Sequence, residues 1–185
     1  MAEKKRKGRR AHLQDFSRDV TGEFQYTGTY RWYVGGTPFK QVMNRINLLT
    51  AALCLALFAM SMLPAPSMLG MGNYYVILPY IAELICSALS VYAAVRLIFG
   101  GAKLRSYVYE ASVEKLPGRL TLTAIFAGAC VTGNLVYLIM NGLGEKPLYS
   151  LAIVALHWAV IAIALLLKRC VTSMEWSGGE EEPEA

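Results

Sequence analysis

Between Arg45 and Arg96 the chain carries a single charged side chain, Glu83, in a stretch long enough to cross a bilayer twice. A run of that kind cannot form the outer surface of a soluble domain. Two further apolar stretches follow, over residues 120–140 and 148–167. Neither contains a charged residue, and the second is closed by Lys168 and Arg169. Hydrophobic residues make up 55% of the chain and charged residues 17%. Because the apolar residues are gathered in blocks rather than spread at amphipathic spacing, that composition selects a membrane protein.

The breakers between the blocks divide the chain into four spans. Thr37 and Pro38 form a helix start, with Thr as cap and Pro at the first position. The first span then enters hydrocarbon near Ile46 and ends near Leu63, ahead of Pro64 and Pro66 (46–63). The second runs over 74–99, is expected to kink at Pro79, and stops at Gly100 and Gly101. The third and fourth cover 120–140 and 148–167. Residues 103–116 place Leu104, Tyr107, Val108 and Ala111 on one face, the pattern of a short helix on the inner surface, ended by Pro117 and Gly118. The expected fold is an all-α integral membrane protein, a four-helix transmembrane bundle over 38–169. An N-terminal basic and aromatic segment (1–37) precedes it and an acidic, disordered tail (170–185) follows it.

All the Lys and Arg residues but Lys146 fall on one side of this arrangement. By the positive-inside rule both termini are expected in the cytoplasm of a multi-pass cell-membrane protein. The basic arm from Lys4 to Arg10 is expected to attract anionic lipid, at about 1 kcal/mol per residue near the surface. Its position beside a span favours that role over specific nucleic-acid binding. The first long apolar run begins too late for a cleaved secretory signal. In residues 24–34, Tyr26, Tyr30 and Trp32 alternate with polar residues, an extended pattern that suits a membrane-interface belt or a partner-docking strand.

Three spans carry polar side chains inside the apolar slab: Glu83, Asn134 and His157. Tyr80, Glu83, Ser87 and Ser90 recur at steps of three and four, so they share one helical face. That face should meet protein rather than lipid. Glu83 and His157 each lie nine residues after the outer start of spans running in the same direction. At ~1.5 Å per residue they reach the same depth, with Asn134 about one turn shallower. A Glu83–His157 pair is therefore geometrically open, although Ala152, Ala155, Ala159 and Ala162 offer a competing small-residue face on the same helix. The four cysteines are expected to be small buried hydrophobes. One mid-membrane histidine without a second nitrogen or thiolate at ligand spacing gives no expectation of a metal, and no cofactor is expected.

No catalytic motif is present, and no nucleophile–base pair can be identified, which leans against an enzyme. The leading expectation is a non-enzymatic accessory or interaction subunit, with a second copy or another membrane protein as partner. The alternative is a small oligomeric transporter or channel subunit using Glu83, with His157, for proton or cation handling.

Overall fold

The computed structural model describes residues 16–18, 24–63, 73–142 and 147–178. The basic arm at 1–10, the turn at 64–72 and the acidic end at 179–185 lie outside them. Four helices are long and apolar enough to cross a membrane. They are α1 (Phe39–Met62), α2 (Tyr74–Gly100), α4 (Leu116–Asn141) and α5 (Pro147–Thr172). Short strands β1 (Phe16–Arg18), β2 (Phe24–Tyr26) and β3 (Tyr30–Tyr33) precede α1. Strand β4 (Lys103–Arg105) and the single turn α3 (Ser106–Tyr109) lie between α2 and α4, and β5 (Trp176–Gly178) follows α5.

Each long helix buries one seam at alternating steps of three and four. On α5 that seam is Ser150, Ile153, His157, Val160, Ala164 and Leu167. On α2 it passes through Glu83, Ser87, Ser90, Ala94 and Leu97. Steps of three and four keep one stripe facing its neighbours along the helix. The outer faces are apolar too: Leu55, Phe58, Leu78, Ile85, Ile125, Ile139 and Leu165 are all exposed. Helices apolar on the outside and polar at points inside suit a hydrocarbon surround. In the bundle α1 neighbours α2, α2 neighbours α4, α4 neighbours α5, and α5 returns to α1. This places α2 and α5 across the diagonal.

One close approach sets the spacing of α2 and α4. A Cβ added at Gly133 would lie 2.6 Å from the Tyr75 carbonyl oxygen. That carbonyl stands four residues before Pro79, which has no N–H to offer it. Gly133 therefore admits the α2 backbone where the α2 ladder lacks a donor. Pro79 sits inside α2, which continues through it.

The segment between α2 and α4 differs from the single surface helix expected for it. Lys103–Arg105 is extended, α3 is one turn, and a π-helical turn (Glu110–Glu114) leads into α4. Pro117 lies in the first turn of α4 and starts that helix instead of ending the one before it. The first helical turn needs no donor from proline, so the ring fits there without loss. Likewise α1 begins at Phe39, and Thr37 makes no side-chain cap; its carbonyl accepts a hydrogen bond from the Tyr33 hydroxyl at 2.9 Å.

Strand β3 is central in a three-stranded antiparallel sheet, order β4-β3-β5. Trp32 pairs with Lys103 on one side and with Ser177 on the other. The sheet gathers segments from before α1, between α2 and α4, and after α5 at one end of the bundle. Part of the tail expected to be disordered, Trp176–Gly178, is thus a strand, and the expected boundary at Cys170 falls inside α5. Trp176 explains the difference: its ring stacks edge-on against Tyr33, Phe39 and Tyr109, giving an otherwise polar end an apolar anchor. Trp176→Ala should release β5. The Val34 amide, which donates to the Glu175 carbonyl at 3.0 Å, should then exchange with solvent faster by hydrogen–deuterium exchange. The α4 and α5 amides should keep their rates.

Candidate functional site

Glu83 and His157 meet on the bundle axis. His157 Nδ1 lies 2.8 Å from Glu83 Oε2, and both side chains are essentially without solvent exposure. They come from α2 and α5, the helices across the diagonal of the bundle. The alanine face on α5 does not compete: Ala155 and Ala162 are exposed, Ala152 and Ala159 are half-buried, and His157 points inward. Tyr80, half-buried one turn from Glu83, sets its ring edge-on to the imidazole at 6.1 Å.

A third group joins them from α4. The sulfur of Cys130, a carboxylate oxygen of Glu83 and a ring nitrogen of His157 all lie within 4.8 Å of one another. By sequence Cys130 reads as a buried small residue on the helical face it shares with Asn134, with nothing linking it to Glu83 or His157. The signal that could have found it is positional: Cys130 lies one turn before Asn134 on the shared α4 face, at the depth of Glu83. Spacing along the chain could not show it, because the set draws one residue from each of three helices.

The polar atoms here are short of partners. Both oxygens of Glu83, His157 Nδ1, Ser87 Oγ and Asn134 Oδ1 are buried and make no hydrogen bond among the described residues. The 2.8 Å approach is ion-pair contact, but its direction does not satisfy a hydrogen bond. Asn134 Nδ2 donates to the Cys130 carbonyl at 2.8 Å, which fixes the amide and leaves its oxygen free. Each buried polar atom without a partner costs about 1–3 kcal/mol. Of these atoms the Glu83 carboxylate oxygens and Asn134 Oδ1 can only accept, so a donor or a cation placed beside them would be favourable.

Apolar layers close the bundle on both sides. Toward the sheet lie Ala94, Leu97, Leu120 and Leu167, beyond a short polar ladder in which the Ser90 and Thr123 hydroxyls stand 3.3 Å apart. Toward the other end Ile153 packs with Leu63, Tyr137 and Leu138.

The aromatic residues singled out before α1 lie in or beside the sheet. Lys103 Nζ sits 4.4 Å from the centre of the Tyr30 ring and 4.3 Å from that of Trp32, a cation sandwiched by two faces. Tyr26 is buried, packs edge-on against Tyr30 and Tyr107, and lies under the Arg105 guanidinium. All three therefore have intramolecular partners, away from the Glu83 site. Comparison of the chain with protein-family models, with curated proteins and with solved structures gives no significant match.

Proposed function

We propose that this is a multi-pass cell-membrane protein whose bundle core handles a cation, acting as a small transporter or channel subunit. The observation that carries this reading is the cluster of buried polar atoms without hydrogen bonds around the Glu83–His157 pair. Ionisable side chains inside a membrane bundle are costly to keep there and by default mark an ion path or ligand site. In this reading both termini and the sheet are cytoplasmic, which puts Lys103, Arg105, Lys168 and Arg169 on the inner side.

A second reading, a non-enzymatic accessory subunit, draws on the closed core, because Glu83 has no exposed surface. The two separate on water access. In a protein whose Cys54, Cys86 and Cys170 are replaced by Ser, Cys130 should react slowly with a small, membrane-impermeant thiol reagent under native conditions, as the bundle opens to water. Labelling seen only after denaturation would favour the accessory reading.

A further inference from the structure

We propose that the Glu83–Cys130–His157 cluster is a binding site for a zinc-class divalent transition-metal ion. This rests on the reading of the cluster as a cation site and names the cation. The donor set is one thiol sulfur, one imidazole nitrogen and one carboxylate oxygen, mutually within 4.8 Å. Around a tetrahedral zinc ion, donors at about 2.0–2.3 Å stand roughly 3.4–3.6 Å apart. The observed cluster reaches that arrangement if Glu83 and His157 part slightly from 2.8 Å while the sulfur closes in. Side-chain rotation supplies movements of that size without shifting a helix.

Ligand chemistry narrows the ion. Sodium, magnesium and calcium favour oxygen-rich shells, and calcium takes about six to eight oxygens, which one carboxylate and one amide cannot provide. Thiolate and imidazole favour zinc and its softer relatives. Charge selects in the same direction. A thiolate and a carboxylate together balance a divalent cation, so the loaded site is neutral where an uncompensated charge is most costly. Binding forms metal–sulfur, metal–nitrogen and metal–oxygen bonds, breaks the S–H bond of Cys130 and the N–H bond that His157 directs at Glu83 in the ion pair, and sends both protons to water, with no change of oxidation state. Three protein ligands leave a fourth position open, the pattern of sites whose ligand exchanges. Asn134 Oδ1 and Ser87 Oγ, both buried without a hydrogen bond and one turn from Cys130 and Glu83 respectively, line the same core to receive it.

The test uses the full chain in detergent, purified through a histidine-free tag and stripped with a chelator. Titration with cobalt(II) should give one equivalent per chain, with the intense visible bands of a tetrahedral ion and a near-ultraviolet sulfur-to-cobalt charge-transfer band. Zinc should displace it. Cys130→Ser should abolish the charge-transfer band. Cys130→Ser and Glu83→Gln should each weaken zinc binding by more than about 100-fold, since even residues behind the ligands typically cost about 10–100-fold. Cys54→Ser, at an exposed position, should bind as the parent does. A wild-type protein that takes up no cobalt, or binds it without the charge-transfer band, overturns the proposal without relying on any variant. So does zinc affinity unchanged in a folded Cys130→Ser protein. Glu83-dependent proton or sodium flux without metal binding would defeat the metal assignment alone. Metal binding without any flux would keep the site and defeat transport.

Discussion

His157→Leu should cost this protein about 3 kcal/mol of stability in detergent, whereas the double variant Glu83→Leu/His157→Leu should lie within about 1 kcal/mol of wild type. Removing the imidazole leaves a carboxylate on the bundle axis with neither oxygen hydrogen-bonded among the described residues. Breaking a buried pair by deleting one partner typically costs about 3–5 kcal/mol. Replacing both partners with leucine removes the desolvated groups altogether and fills similar volume. A thermodynamic cycle over wild type, the two single variants and the double variant measures the coupling directly. Additive losses would mean that the 2.8 Å contact carries no mutual energy. The stable double variant should also be inactive, which separates the role of the pair in function from its role in folding.

Gly133→Ala should destabilise the bundle by about 1–3 kcal/mol, the usual cost of overpacking a filled core. The added carbon meets backbone, the Tyr75 carbonyl at 2.6 Å, so no side-chain rotation can relieve it. Either α2 and α4 separate or α4 rolls, and both movements carry Cys130 and Asn134 away from Glu83. Gly128→Ala is the matched control, because a Cβ there meets nothing within 4 Å. It should leave stability unchanged or raise it by up to about 1 kcal/mol through helix propensity. Thermal melts of the two variants side by side check the pair.

The parts of this structure legible in the sequence are those governed by local rules. Apolar length and breakers mark the four helices to within a few residues at most ends, and Gly101, at φ 77°, terminates α2 where the sequence places a stop. Equal depth on two helices running the same way anticipates the meeting of Glu83 and His157. What stayed hidden depends on which helices are neighbours. Cys130 joins the cluster only because α4 lies between α2 and α5. Gly133 and Gly128 look alike in sequence, and only the crossing with Tyr75 distinguishes them. Strand β3 needs partners from segments after α2 and after α5, so its alternation reads equally well as an interface belt. Leu104 shows the same limit: its spacing reads as one face of a helix, yet it is the buried residue between the exposed Lys103 and Arg105 in β4.

Cation handling at Glu83 is tested most directly by cation flux into liposomes reconstituted with wild-type protein and with Glu83→Gln. The isosteric amide keeps the shape of the side chain and removes the negative charge that would attract a cation. Wild-type protein should carry a cation inward down its gradient. Glu83→Gln, although folded and correctly inserted, should reduce the flux to that of empty liposomes. Equal flux through both proteins, or none through either for protons, monovalent cations and zinc alike, would contradict that role.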